Sequence, residues 1–354
     1  MTGAPLPETM RAVVLTGFGG FERLEYRPDW PVPVPGPGEV LIRVGGAGVN
    51  NTDINTRIGW YSKAVEGSTA EGGASGFAEA EGEGWSGTPF TFPRIQGIDA
   101  AGTVMAVGPG VDSSRIGQRV LVEPAWPKTD GTCDFFGSER DGAFAEYTVA
   151  PAVHAHAIDC ALSDLELASF PCAYSTAENL LHRSRVAAGE RVLVTGASGG
   201  VGSAAVQLAH RRGAQVTALA GISKHAAVRA LGAQEVLDRH APLELDAYDA
   251  VIDVVGGAGF GSLLQALRPG GRYATSGAIA GPIVELDLRT LYLKDLTLYG
   301  CTVLDDGVFA NLVGYIERGE VKPAVCATFP LEKIEAAQRV FLEKRHVGKI
   351  VLVP

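Results

Sequence analysis

An apolar strand followed by a glycine-rich turn and a helix is the feature that most constrains this chain. It reads Val192-Leu193-Val194-Thr195-Gly196-Ala197-Ser198-Gly199-Gly200-Val201-Gly202. Glycines at such a turn let backbone N–H groups approach a pyrophosphate, and the following helix N-terminus adds roughly half a positive charge. The sequence therefore predicts a dinucleotide site, with candidate contacts at Gly196, Ser198, Gly199, Gly200 and Val201.

Alternating strands and helices surround this turn. Strands are predicted at 191–195, 215–219, 235–237, 250–254, 272–275 and 296–299. Two predicted helices, 201–212 and 224–231, each stop at a glycine, which is a common C-terminal signal. This alternation predicts a parallel, doubly wound sheet over 161–305.

The preceding part of the chain has a different pattern. Short apolar runs at 12–15, 40–44, 102–107 and 119–122 are separated by Gly and Pro, which predicts a mostly β domain over 1–160. We expect the strand 349–353 to return to this domain, so that 306–354 completes it. Between 66 and 87 almost every residue is Gly, Glu, Ala or Ser, which favours a surface insertion, either disordered or acting as a lid.

The second predicted strand of the α/β part indicates the cofactor. It is followed by Ala220-Gly221-Ile222-Ser223-Lys224 with no carboxylate to bind a ribose 2′-hydroxyl. Ser223 and Lys224 would instead contact a 2′-phosphate, with Arg239 as a second cation, and this favours NADPH. The alternative is that Lys224 only lies at a solvated helix start.

The net charge and the cysteine content limit the classes of binding partner and the cellular location that we expect. Thirty Lys and Arg against 40 Asp and Glu give a net charge of -10, which argues against nucleic acid and acidic membrane surfaces. The five cysteines form no CxxC pair, and neither a leader nor a membrane-spanning run is recognisable. We expect a cytoplasmic protein with a small-molecule substrate.

Several blocks, in their order and spacing, resemble the medium-chain dehydrogenase/reductase family and its zinc-independent quinone oxidoreductase-like branch. The blocks besides the glycine turn are Gly48-Val49-Asn50, the run 93–102, Gly117-Gln118-Arg119-Val120, the runs 141–147 and 173–177, the run 267–272 and Gly348-Lys349-Ile350-Val351-Leu352. The resemblance implies an α/β protein with a GroES-like catalytic domain and a Rossmann domain. It also implies an active site between the domains and an edge-to-edge homodimer.

The resemblance bears on metal binding as well. Zinc-dependent relatives carry Cys where this chain has Asn50 and His where it has Ile98, while Cys172 matches a third ligand position. A catalytic zinc ion needs about three protein ligands. We therefore predict no metal, with Cys172 left as a buried residue.

The same resemblance implies the remaining site residues. Asn50, Asp53 and Tyr61 are the candidate catalytic residues: Asn50 as an amide donor, and Tyr61 as a proton donor. Asp53 has the alternative role of a structural cap, and Asn55 replaces a tyrosine of some relatives. Further candidate cofactor contacts are Thr176, Gly277, Ala278, Cys301 and Thr302.

The predicted reaction follows from the absence of a Lewis acid. Without one, oxidising an unactivated alcohol is difficult, whereas hydride addition to a quinone or an α,β-unsaturated carbonyl needs only hydrogen-bond donors and a proton. The leading hypothesis is an NADPH-dependent reductase of such acceptors. The alternatives are a zinc-free carbonyl/alcohol oxidoreductase acting on aldehydes or ketones, and a non-catalytic NADPH-binding protein.

Overall fold

The computed structural model describes residues 6–80, 82, 85 and 89–354. The elements of the first, β-rich part are β1 (Thr9–Leu15), β2 (Leu24–Pro31), β3 (Glu39–Val49), α1 (Asn51–Arg57), α2 (Thr69–Gly72), β4 (Arg94–Ile95), β5 (Ala101–Val107), β6 (Arg119–Val122), β7 (Ala125–Pro127), β8 (Cys133–Phe135), β9 (Tyr147–Pro151) and β10 (Ala155–Ala157).

The rest of the chain alternates helices and strands. Its elements are α3 (Asp164–Leu167), α4 (Pro171–Arg183), β11 (Arg191–Val194), α5 (Gly200–Arg211), β12 (Gln215–Ala220), α6 (His225–Ala230), β13 (Glu235–Asp238), β14 (Tyr248–Asp253), α7 (Phe260–Ala266), β15 (Leu267–Thr275), α8 (Leu288–Leu293), β16 (Thr297–Gly300), α9 (Val308–Glu317), β17 (Val325–Pro330), α10 (Ile334–Leu342) and β18 (Lys349–Val353). The six strands predicted here are confirmed, with ends shifted by a few residues.

Strands β11 to β16 form one parallel sheet in the order β13-β12-β11-β14-β15-β16. Its side chains alternate between two buried layers: Val192 and Val194 pack on one face, and Leu193 on the other. Because both faces are covered, the central strand carries an unbroken apolar run, Val192-Leu193-Val194. This is the predicted doubly wound Rossmann sheet, and its strand order reverses between β11 and β14, where ligands of such sheets bind.

The chain returns to the first domain at its C-terminal end. Strand β18 pairs antiparallel with β3 and parallel with β17, inside the seven-stranded sheet of the first domain. Helix α9, in contrast, packs against α4 in the core shared with the parallel sheet, through Phe309 and Leu312. The division at residue 306 therefore remains a proposal, since α9 contributes to the Rossmann core.

The described part of the Gly- and Glu-rich insertion is docked on the domain surface. Phe77 packs against the core of the first domain, and its N–H donates to Ile58 O at 3.1 Å. The fully buried guanidinium of Arg57 donates to Gly73 O at 2.7 Å and to Gly19 O at 2.9 Å. The composition of 66–87 predicts little burial, but backbone carbonyls paired with a buried arginine hold this segment. Residues 81, 83, 84 and 86–88, in the insertion and directly after it, lie outside the described residues.

Candidate active site

The glycine turn joins β11 to α5 at the carboxyl end of the parallel sheet. Gly196 has a φ of 56°, a conformation that favours glycine. A Cβ at Gly202 would collide with Gly196 O, whereas a Cβ at Gly199 would have no neighbour closer than 3.4 Å. Gly202 thus keeps the turn tight, and Gly199 leaves space beside the N-terminus of α5. That space suits a phosphate group.

A cleft of about 570 Å³ opens over this turn. The candidate cofactor residues that line it are Gly196, Ser198, Gly199, Gly200, Lys224 and Arg239. Val201 follows in the first turn of α5, half-buried. The structure therefore brings together the pyrophosphate turn and the two predicted cations, and the dimensions and donors of the cleft fit a dinucleotide.

Other predicted cofactor residues lie outside the lining of this cleft. Gly277 and Ala278 follow β15, next to Ile279, which does line it. Thr176 is half-buried in α4, and Ser223 is exposed. Cys301 is buried in the Rossmann core beyond β16, followed by an exposed Thr302. Their contacts with a cofactor remain proposals.

Two residues of the C-terminal segment, which sequence reasoning missed, also line the cleft. Lys344 and His346 reach it from the loop between α10 and β18. Lys224 Nζ donates to Lys344 O at 2.5 Å and to Ser198 Oγ at 3.3 Å, while Lys344 Nζ donates to Asn51 Oδ1 at 2.8 Å. The cleft thus holds cations from both parts of the chain.

These cations lie near one another. Desolvation and the neighbouring Arg239 lower the pKa of Lys224. Although much of the Lys344 side chain is exposed, desolvation of its ammonium in the cleft and the charge of Lys224 lower its pKa to about 7. Burial and the same lysines lower the pKa of His346 to about 4. An anion in the cleft would relieve this repulsion and favour the charged lysines.

A buried cluster lies below the cleft, on the first domain. Lys349 and Asp99 are 2% and 0% exposed, and Lys349 Nζ lies 2.7 Å from Asp99 Oδ2. The same ammonium donates to Asn50 Oδ1 and, at 3.1 Å, to Val49 O. Asp99 Oδ1 accepts from Cys172 N at 2.6 Å. The cluster was not predicted as a unit, because its members are far apart in the chain.

The amide of Asn50 is fully engaged in this cluster. Its Nδ2 donates to Asp99 Oδ2 at 2.8 Å and to Gly48 O at 3.3 Å, while its Oδ1 accepts from Lys349. Asn50 would have to release one of these bonds to donate to a substrate. The structure therefore places Asn50 as a hydrogen-bonded member of the buried cluster, outside the lining of the cleft.

The structure also gives Asp53 a local partner. Asp53 Oδ2 accepts from Asn50 N at 2.7 Å as part of a capping box at the start of α1. Burial raises the pKa of Asp53 to about 7, against the opposing effects of this hydrogen bond and of Lys349. This geometry is that of a helix cap, which is the alternative role that the sequence indicated for Asp53.

Tyr61 lies close to the same helix. Its hydroxyl donates to Thr52 Oγ1 at 3.0 Å. Burial raises the pKa of Tyr61 well above its usual value, so the phenol keeps its proton at neutral pH. Thr52 is a second hydroxyl that sequence reasoning missed, because only the structure brings it to Tyr61.

The residues at the positions of the zinc ligands of zinc-dependent relatives do not fit a zinc ion. Asn50 and Ile98 supply neither thiolate nor imidazole, and burial raises the pKa of the Cys172 thiol. The Lys349 ammonium, bonded to Asn50, would repel a divalent cation. Across the described ranges, no group of three or more His, Cys, Asp and Glu side chains has a metal-binding arrangement.

Two domains meeting at a cationic dinucleotide cleft define a nicotinamide-dependent oxidoreductase architecture, and the comparisons with known proteins agree. Residues 36–159 match the family described as "Alcohol dehydrogenase GroES-like domain", and residues 200–318 match "Zinc-binding dehydrogenase". The chain belongs to the medium-chain dehydrogenase/reductase family, in its quinone oxidoreductase-like branch.

Individual relatives cover nearly the whole chain. The human synaptic vesicle membrane protein VAT-1 homolog is 30% identical over 98% of this chain and 86% of its own length. The quinone oxidoreductase of Lama guanicoe is 30% identical over 97% of both chains. A solved structure from Sinorhizobium meliloti 1021, provisionally named an alcohol dehydrogenase, is 47% identical, with a TM-score of 0.88 over 99% of this chain and 98% of that one.

The buried ion pair gives a stability prediction. Lys349→Met leaves the Asp99 carboxylate buried without its cation, and we expect a loss of about 3–5 kcal/mol of unfolding free energy in urea denaturation. Lys349→Met combined with Asp99→Asn removes both charges and should recover more than half of that loss. Arg339→Met, which breaks an exposed pair with Glu335, should stay within about 1 kcal/mol of wild type. Additive losses in the double variant would show that the pair is not coupled.

Proposed function

We propose that the protein reduces quinones or α,β-unsaturated carbonyl compounds with NADPH and without a metal ion. The observation that carries the proposal is the Lys349, Asp99 and Asn50 cluster, which fills the position of the relatives' metal ligands with an ammonium and its partners. With no Lewis acid to hold an alkoxide, acceptors that delocalise charge onto an oxygen are favoured.

Side chains of this protein would supply the proton and the positioning hydrogen bonds for such a reaction. The bound cofactor would provide a hydride from its nicotinamide. Tyr61 would give its phenolic proton to the reduced acceptor, and the Thr52 hydroxyl, 3.0 Å away, would stabilise the phenolate by a hydrogen bond until a proton from solvent restores the phenol. Asn50 and Asp53 are proposed to position this region through the cluster and the cap of α1.

The preference for NADPH is supported by charge. Strand β12 ends at Ala220, and Gly221 follows without a carboxylate to bind a ribose hydroxyl. The Arg239 guanidinium lies against Gly221, 2.8 Å from where a Cβ would be, and Lys224 is on the same side of the cleft. A 2′-phosphate would meet these two cations, with Lys344 facing them from the first domain.

A second candidate is reduction of saturated aldehydes or ketones. It is favoured by the name of the 47% identical relative from Sinorhizobium meliloti 1021. In that reaction the same Tyr61 and Thr52 hydroxyls would stabilise charge on the carbonyl oxygen. The two candidates differ in which carbon atom receives the hydride.

The proposed partner is a second copy of this chain, joined along β16, the last strand of the parallel sheet. Exposed apolar side chains flank this edge: Ile283, Leu288, Tyr292 and Leu293 are each more than 60% exposed. An unpaired strand edge beside an apolar surface suits pairing with an identical edge.

We propose a cytoplasmic location from the unpaired cysteines. No helix in the described part of the chain is both long and apolar enough to cross a membrane.

The proposed activity is tested by NADPH oxidation with chelator-treated protein. We expect turnover of a 1,4-quinone and of an enone, and little or none with the saturated aldehyde that matches the enone. Turnover of the saturated aldehyde alone would favour the second candidate. Loss of activity on chelation, restored by zinc, would contradict the metal-free site.

Cofactor choice is tested at Lys224. Lys224→Ala should weaken NADPH binding about tenfold or more while changing NADH binding little, because only NADPH carries the 2′-phosphate. Dissociation constants are measurable by quenching of tryptophan fluorescence. Lys322→Ala, an exposed lysine outside the cleft, is the matched control. An equal loss for both cofactors would refute the assignment.

The proposed dimer is tested by sedimentation velocity. We expect wild type at twice the mass of the 36.9 kDa chain. Leu288→Asp combined with Leu293→Asp places charge on the exposed apolar surface beside β16 and should give monomers. Val153→Asp, equally exposed on the first domain, should leave the dimer intact. A wild-type monomer at micromolar concentration would overturn the proposal.

A further inference from the structure

The Gly- and Glu-rich insertion begins with a short segment, residues 67–73, that the first domain holds at both ends. At one end Trp60 Nε1 donates to Gly67 O at 2.9 Å. At the other end the fully buried Arg57 guanidinium donates to Gly73 O at 2.7 Å. Because both donors are side chains of the first domain, this segment moves with that domain.

One backbone donor of the segment bonds to the other domain. The first N–H groups of a helix have no acceptor within that helix. At the start of α2, Ser68 and Glu71 satisfy each other in a capping box. The next donor, Thr69 N, instead donates to Ile279 O of the Rossmann domain at 3.1 Å. Thr69 is 2% exposed, so this bond between the two domains is shielded from water.

The acceptor, Ile279 O, belongs to a firmly held wall of the cofactor cleft. Ile279 lines the cleft together with Val255. The neighbouring Ala280 N donates to Val255 O at 2.9 Å, and a Cβ at Gly257 would lie 2.9 Å from Ala280 O. This close packing leaves the loop little room to shift by itself. The bond from Thr69 therefore ties the first domain to the wall of the cleft.

The first domain also lines the cleft directly. Its residues in the lining are Asn51, Phe341, Lys344 and His346. Close to them, Gly348 N donates to Ser198 O of the glycine turn at 3.1 Å. A dinucleotide in the cleft would lie between surfaces of both domains, and its entry and release would require those surfaces to separate. Separation at Ile279 breaks the bond from Thr69.

We propose that residues 67–73 form an interdomain strap: the hydrogen bond from Thr69 N to Ile279 O opens whenever a nicotinamide dinucleotide enters or leaves the cleft. The inference rests on the proposed function only in requiring such a cofactor, and it holds for NADPH and NADH alike, whatever the acceptor. A contact that holds the cleft closed slows entry and release by the same factor. The strap therefore sets the rate of cofactor exchange and leaves the affinity unchanged.

The first test is the variant Thr69→Pro, which removes the N–H group of the strap. Proline is favoured at the first position of a helix, and it requires an extended residue before it, as Ser68 is with a ψ of 157°. The substitution also removes the Thr69 hydroxyl, which donates to Asn55 Oδ1 at 2.9 Å inside the first domain. Thr69→Val is the matched control, because it loses that hydroxyl but keeps the N–H group.

Stopped-flow fluorescence of NADPH gives both rate constants, association on mixing and release on chasing with excess NADP⁺. Relative to Thr69→Val, we expect both to rise about three- to tenfold in Thr69→Pro, as the loss of one buried hydrogen bond implies. The Kd should change by less than about twofold, and NADH exchange should accelerate by the same factor. Unchanged rate constants in Thr69→Pro, or weaker binding with unchanged association, would overturn the proposal.

A second variant loosens the strap at its other end without changing Thr69. Trp60→Phe keeps an aromatic ring but removes the Nε1 donor to Gly67 O. We expect cofactor exchange to accelerate in both directions, again with little change in Kd. Exchange at the wild-type rate in this variant would count against the strap even where Thr69→Pro fails to fold.

These rates are measured without an acceptor, so the strap and the proposed function fail separately. Accelerated exchange in Thr69→Pro, with no turnover of any acceptor by the wild type, would support the strap and refute the proposed reductase. Turnover of a quinone or an enone, with the same exchange rates in Thr69→Pro and Thr69→Val, would refute the strap alone.

Discussion

The ion pair between Lys349 and Asp99 is the interaction on which the rest of the site depends. A buried ammonium and carboxylate are costly to desolvate and are tolerated only where both find full sets of partners. Here Lys349 donates to Val49 O, Asn50 and Asp99, while Asp99 also accepts from Asn50 and from Cys172 N. One pair thereby fixes the last strand β18, the start of α1 and the N-terminus of α4 relative to one another.

The same lysine connects the glycine turn with the first domain. Its stem packs under the glycine turn, since a Cβ at Gly200 would lie 3.0 Å from Lys349 Cδ. Its ammonium meanwhile reaches Asn50 on the first domain. The glycine turn and the Asn50 region of the first domain are therefore held together by one buried side chain. Above it, Lys224 and Lys344 approach each other from opposite sides of the cleft, and an anionic cofactor would draw them together.

The fold was predictable from local patterns, whereas the site was predictable only in part. The glycine turn and the six parallel strands have signals within a few residues of sequence, and they were predicted close to their observed bounds. Lys349 and Asp99 are 250 residues apart, and no local pattern marks their pairing. The docking of the described part of the insertion was not predictable for a similar reason: its composition is polar and small, but its contacts depend on Arg57, a buried residue of a different segment. Tyr61 and Asn50 were found through family resemblance, whereas their hydrogen-bond partners required coordinates.

The measurement that tests the account most directly follows the hydride itself. Chelator-treated protein is given NADPH that carries deuterium at the transferred position, together with an α,β-unsaturated ketone, and the product is examined by NMR. Conjugate reduction without a metal places the deuterium on the β-carbon and leaves the carbonyl intact. Deuterium on the carbonyl carbon, in an allylic alcohol product, would contradict the account and identify a carbonyl reductase.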